Sequence, residues 1–185
     1  MPLTVRPAHP HDLPHLLRLN QRAVPNVNSL SPVAFADLLA TAEACLVVTG
    51  TEDGAHPAGF LLGLGPGLGY ASENYRWFDA EYGDFFYIDR VVVAESVRGQ
   101  GAGSALYGAA ALLARGRGSP RLCCEVNLEP PNPRSLRFHE RLGFTRVGEQ
   151  STEGGSKQVA LLVKSVPAAP PTEVPTTVRV RGERG

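Results

Sequence analysis

The sequence predicts an α+β domain, an α/β/α sandwich in which helices cover both faces of a mixed β-sheet. Three observations carry this. "FFYIDRVVV" (85–93) and "RLCCEVNL" (121–128) are β-rich runs separated by a helical stretch at 102–115, and a strand–helix–strand order implies a parallel pair. "ACLVVTG" (44–50) and "AGFLLGLGPG" (58–67) flank the turn-forming "TEDGAHP", which implies an antiparallel hairpin. "FTRVGEQ" (144–150) and "QVALLVKSV" (158–166) form a final antiparallel pair.

The elements follow in order. "LTVR" (3–6) is a short strand stopped by Pro7 and Pro10. Behind the possible cap Asp12, residues 11–23 place Leu13, Leu16, Leu17 and Leu19 near helical spacing. Ser31 and Pro32 open a second helix that "VAFADLLATA" continues. "LGYASENYRWFDAEYGD" (68–84) reads as a long aromatic-rich connection, the kind of loop that often lines or covers a binding site. In the helix at 102–115, Ala102, Ala105, Leu106, Ala109, Leu112 and Leu113 make the apolar face. "NPRSLRFHERLG" (132–143) is a capped helix with Asn132 before Pro133 and Gly143 as its stop. From 166 prolines crowd a polar stretch, so the chain divides into a domain over 1–165 and a tail over 166–185 expected to be disordered.

Composition bounds the function. With 185 residues, 43% of them hydrophobic, the chain can bury one sizeable core. Its 18 basic and 18 acidic residues cancel, which argues against the overall basic footprint of a nucleic-acid partner. Cys45, Cys123 and Cys124 have no CxxC spacing, and adjacent cysteines pair poorly, so a reducing, cytoplasmic setting is expected. No run approaches the roughly 18–20 apolar residues of a membrane span, so no membrane partner is expected. His9, His11, His15 and His56 lack convincing metal partners and are expected at solvent, with no metal in the protein.

"SVRGQGAGSALY" (96–107) is the most informative stretch. As a GxGxxG dinucleotide fingerprint it fails, because Ser104 stands where the third glycine belongs and no acidic residue ends the next strand. No GK[ST] follows, so the lysine of a P-loop is missing. A strand, then R-G-x-G-x-G, then an amphipathic helix instead places free amides at a positive helix terminus beside Arg98, an arrangement suited to a pyrophosphate.

The stretch 98–103 resembles the acyl-CoA signature of the GNAT superfamily of N-acyltransferases, Q/R-x-x-G-x-G/A. "YIDRVVVAESVRGQGAGSALY" looks like that family's strand, loop and helix in order. "NPRSLRFHERLGF" is similar to its second signature, N-x-x-[SA]-x-x-[FL]-Y-x-x-x-G-F, and together the two span about 85–145. The likeness is greatest to a subgroup of bacterial acetyltransferases sharing the "CEVNLEPPNP" segment. The resemblance implies a six- to seven-stranded mixed sheet with a splayed central parallel pair and about four helices. It also implies transfer of an acetyl group from acetyl-CoA to a primary amine of a small molecule or protein. The alternative is a non-catalytic acyl-CoA-binding sensor; a nucleotide-binding protein is a third class. A homodimer through an edge strand is conceivable in this fold.

Site residues carry over by position. The resemblance puts the pantetheine against the backbone of Val91, Val92 and Val93. It puts the pyrophosphate against Arg98, Gly99, Gln100, Gly101, Ala102, Gly103 and Ser104, with Asn132, Arg134 and Ser135 contributing from the second motif. Glu125, mid-strand among apolar neighbours, is the candidate base, with a structural ion pair as the plainer reading. Asp89 on the other parallel strand is the second candidate. His139 falls seven residues after Asn132, where the family carries a tyrosine general acid. Imidazole can donate a proton there, or the histidine simply packs. Asn132 caps its helix, contacts the cofactor, or does both. Tyr75, Trp77 and Asn127 are candidates for the acceptor pocket, with Tyr70, Arg76 and Phe78 nearby, whereas Phe138 and Phe144 read as core.

Overall fold

The structure, a computed structural model, describes residues 3–50 and 56–168. Seven strands form one sheet: β1 (Thr4–Pro7), β2 (Ala44–Thr49), β3 (Gly59–Leu64), β4 (Phe86–Val93), β5 (Arg121–Glu129), β6 (Thr145–Thr152) and β7 (Lys157–Ser165). Their order is β1-β2-β3-β4-β5-β7-β6, with β4 and β5 the parallel pair and every other neighbour antiparallel. Five helices are described: α1 (Leu13–Arg22), α2 (Pro32–Thr41), α3 (Glu73–Glu81), α4 (Ala102–Gly116) and α5 (Pro133–Arg141). The turn 51–55 and nearly all of the tail lie outside the described residues, although Val166 is buried and donates its amide to Pro120 at 2.8 Å.

Alternation along the strands sorts the helices into two layers. On one face Leu16 and Leu19 of α1 and Phe35 and Leu38 of α2 pack on Val47, Phe60 and Leu62. Tyr75 and Phe78 of α3 extend that layer over Leu64, Tyr87, Cys123 and Leu161. On the other face Ala102, Leu106, Ala110 and Ala114 of α4 meet Leu61, Phe86, Leu122 and Cys124. The adjacent Cys123 and Cys124 therefore belong to opposite faces, which rules out their pairing with each other.

Two local expectations change. The 68–84 connection contains α3, capped by Ser72, whose hydroxyl accepts the Tyr75 amide. Tyr75, Phe78 and Tyr82 do recur at helical spacing, but aromatic residues are weak helix formers and tertiary packing supplies the stability. The buried stripe of α4 runs through 102, 106, 110 and 114 together with Tyr107, while Leu112 and Leu113 are exposed. The alanines at 102, 110 and 114 let this helix lie close to the sheet, which a ranking by hydrophobicity does not reveal.

Gly63 is set by its neighbour rather than by its backbone. A Cβ there would fall within overlap distance of the Phe86 ring, and both residues are fully buried. Gly63→Ala should cost about 1–3 kcal/mol through overpacking, lowering the melting temperature by several degrees in a thermal scan.

Candidate active site

The site begins where two strands separate. β4 and β5 pair only at Phe86–Leu122 and Tyr87–Cys123, and beyond those positions they diverge. A bulge helps bend β4 away: Leu62 opposes Arg90 and Gly63 opposes Ile88, leaving Asp89 as the extra residue. Val91, Val92 and Val93 remain paired to β3 on one side, so their other edge faces the gap. A cavity of about 530 Å³ runs from this gap to the start of α4, and every residue that the sequence assigned to acetyl-CoA except Gln100 lines it.

At the α4 end the backbone presents donors. Gly99 and Gly101 have φ of +81° and +87°, and at neither would a Cβ meet anything within 4 Å. These left-handed conformations turn the chain so that α4 starts with its amides exposed. Ala105 is the first amide bonded back into the helix, to the Gly101 carbonyl at 2.9 Å. Among the described residues the amides of Gly99, Gly101, Ala102, Gly103 and Ser104 have no backbone acceptor. The Arg98 and Gln100 amides are used in the turn, by the carbonyls of Glu95 and Val97. The Arg98 side chain bonds Glu95 and the Val93 carbonyl, so it braces this turn while remaining partly open to solvent. Five free amides at a helix N-terminus beside a guanidinium suit a diphosphate, and the glycines leave room for its close approach.

Glu125 stands at the other end, on the sheet face covered by α3. Tyr87 donates to its carboxylate at 2.8 Å. Burial pushes the Glu125 pKa up to about 7; the hydrogen bond from Tyr87 opposes this and nearby Asp89 adds to it. Asp89 is committed elsewhere: Tyr70 donates to one of its oxygens at 2.6 Å and the Arg90 Nε to the other at 2.6 Å. Adjacent Asp89 and Arg90 can share one face because of the bulge. Arg90 also donates to Asn20 at 2.9 Å and to Asn28 at 3.0 Å, tying β4 to α1 and to the α1–α2 connection.

His139 lies on the opposite face, buried between α5 and α4. Its Nδ1 is 2.8 Å from the Ser135 carbonyl, which can only accept, so Nδ1 carries the proton. Its Nε2, 2.6 Å from the Tyr107 hydroxyl, then accepts from it when the ring is neutral. Burial lowers the His139 pKa and so favours that neutral form. Asn132 caps α5, accepting the Ser135 amide at 3.1 Å, and donates to Asn26 of the α1–α2 connection at 3.2 Å, which joins the two sides of the cavity. Arg134 and Ser135 line the cavity from α5, with Ser135 also near His139 Nδ1.

The aromatic segment is placed differently from the other candidates. Tyr75 is fully buried, donating to the Gly65 carbonyl at 2.7 Å and accepting the Leu68 amide at 2.9 Å. Trp77 packs near Gly148 of β6 and against Phe78 and Tyr82. Neither lines the cavity, nor do Tyr70, Arg76 or Phe78, whereas Asn127 does. Sequence reasoning passed over Tyr87, Tyr107, Arg90, Asn26 and Val27. Tyr87 and Arg90 flank the Asp89 candidate, and a tyrosine inside an alanine-rich helix was the available signal for Tyr107. No helix among the described residues is long and apolar enough to cross a membrane.

Comparison with known proteins agrees with this geometry. Residues 14–144 match the model of the acetyltransferase (GNAT) family. An acetyltransferase of Agrobacterium fabrum is 32% identical over 80 residues, which cover 43% of this chain and 56% of that protein, so the match spans little more than half of the relative. Ard1 from Thermoplasma volcanium superposes with a TM-score of 0.70 at 21% identity, over 90% of this chain and 99% of that one. NAA60 of Arabidopsis thaliana, solved in complex with acetyl-CoA, gives a TM-score of 0.69 at 18% identity, over 89% and 99% of the two chains. With the splayed pair, the amide-lined start of α4 and a family match over most of its length, the chain belongs to the GNAT acetyltransferase family.

Proposed function

We propose that this chain transfers an acetyl group from acetyl-CoA directly to a primary amine, with Glu125 as the base. The observation that carries this is the Glu125 carboxyl, bonded to Tyr87 beside the last β4–β5 pair where the strand gap begins, in the same cavity whose far end is lined by free amides; burial pushes its pKa up to about 7. A base of that pKa is half ionised near neutral pH, where it can accept a proton and pass it on.

The diphosphate of acetyl-CoA binds the amides of 99–104, and its pantetheine follows Val91–Val93 into the gap. The acceptor arrives as an ammonium ion and loses a proton to the Glu125 carboxylate. Its nitrogen lone pair attacks the thioester carbon, and the carbonyl π pair moves onto oxygen. A β4 amide facing the gap stabilises that oxyanion. Collapse re-forms the C=O bond and breaks the C–S bond, so the electron pair leaves on sulfur while the second nitrogen proton is lost to solvent. His139 and Tyr107 line the same cavity, and on this reading they face the departing sulfur. Donation by His139 requires a protonated Nε2, which would turn its bond with Tyr107 around and free the phenol proton for sulfur. Burial disfavours that form, so near neutral pH the thiolate leaves unprotonated and takes its proton from water.

The test is thiol release from acetyl-CoA across a broad amine panel as pH is varied. With the acceptor saturating and in its ammonium form throughout, turnover should rise with pH and level off above about 7, because Glu125 must be ionised. Acetyl-CoA binding without thiol release from any amine would instead identify an acyl-CoA sensor.

A further inference from the structure

We infer that the acceptor is an amine flanked by a neutral amide, and that a free α-carboxylate beside the amine is rejected. This rests on the acetyl-transfer reading and names the substrate class for the same site. The acceptor end of the cavity is bounded by Asn26, Val27, Asp89, Arg90, Glu125 and Asn127. Arg90 is the only cation in that set, and it is buried and already committed: Nε donates to Asp89, Nη1 to Asn20 and Nη2 to Asn28, with a side chain 5% exposed. Arg98 belongs to the turn before α4, and Arg134 and Arg141 belong to α5 on the opposite face of the sheet. An acceptor carboxylate would therefore enter a half-buried site with no uncommitted cation among the described residues that line it, next to a carboxylate that must itself ionise. Burying an unpaired charge is far more costly than burying a neutral amide that finds a hydrogen bond.

Asn127 supplies that hydrogen bond. It lies two residues from Glu125 on β5 and so on the same face. Its carboxamide has no side-chain hydrogen bond among the described residues, and it lines the cavity. One carboxamide offers both a donor and an acceptor, which complements the C=O or N–H of an amide attached to the amine-bearing carbon. A carboxylate could use only the donor.

The experiment compares kcat/KM for alanine, serine and methionine with that for their primary amides, using propylamine as a simple amine. Rates are expressed per unprotonated amine, since amidation lowers amine basicity. The amides should exceed their acids at least tenfold. Asn127→Asp should lower kcat/KM for the amides at least tenfold while the acetyl-CoA Kd stays within twofold, and Asn127→Lys should narrow the gap between acid and amide. Acids matching or exceeding the amides would overturn the inference, as would an amide-to-acid ratio indifferent to both substitutions. Thiol release from propylamine but from no amide overturns it alone, leaving acetyl transfer intact. Release from nothing overturns both.

Discussion

Replacing Glu125 by Gln should lower kcat by about 10²–10⁴-fold and leave the acetyl-CoA Kd within twofold. The substitution keeps the shape of the side chain and its place beside Tyr87 but removes the proton acceptor. The residues we assign to the diphosphate and pantetheine are others, so affinity for the donor should be spared. Turnover unchanged across the pH range would remove Glu125 from the base role. The same substitution should make the protein more stable under alkaline conditions. In the folded state the Glu125 pKa is about 7, above its ordinary 4.5, so the folded protein holds this proton more tightly than the unfolded chain. The resulting stabilisation is whole below about pH 4.5 and is lost as pH rises through 7. Above that pH the ionised carboxylate costs about 3 kcal/mol relative to an exposed one. Glu125→Gln should therefore raise the melting temperature by several degrees at pH 8 and change it little near pH 4.5. A gain in stability with a loss of turnover is the mark of a buried group retained for chemistry rather than for folding.

Gly101→Val should weaken acetyl-CoA binding at least tenfold, measured by titration calorimetry. At φ +87° a side chain forces the backbone into strain or out of the left-handed region. Ordinary residues pay roughly 1–2 kcal/mol there, and a β-branched one pays more. If the backbone yields, the amides of 101–104 lose their common aim. If it holds, two methyl groups stand beside the surface the diphosphate would approach. The space around Gly101 is open in the protein itself, so packing is not the obstacle and the melting temperature should fall by only a few degrees. Binding of acetyl-CoA within twofold of the wild-type value would disconnect this turn from the donor.

Much of this was legible in local sequence. The glycine alternation at 99–103 requires a special backbone, and the following amphipathic run makes it a helix start, so the amide cradle could be read without coordinates. The parallel pair followed from strand–helix–strand order, and Glu125 stood out as a carboxylate among apolar strand residues. The 68–84 segment was harder to read. Its aromatic residues suggest a binding loop, yet Tyr75 and Phe78 turn into the core and Trp77 packs near β6, because seven strands leave a broad apolar face for a helix to cover. Asp89 is similar. Its identity suggested a base, and only the bulge that turns it toward Arg90 and Tyr70 shows that both its oxygens are engaged.

By itself, then, the sequence determined the glycine turn and the start of α4, which we assign to the cofactor, because the exposure of those amides depends on glycines a few residues apart. Tertiary structure decided the end of the cavity that we assign to the acceptor. There Glu125, Tyr87, Arg90, Asn28 and Asn127 converge from segments up to a hundred residues apart in the chain. Their charges, partners and burial exist only once β4 and β5 have separated and α1, α2 and α3 have closed over that face.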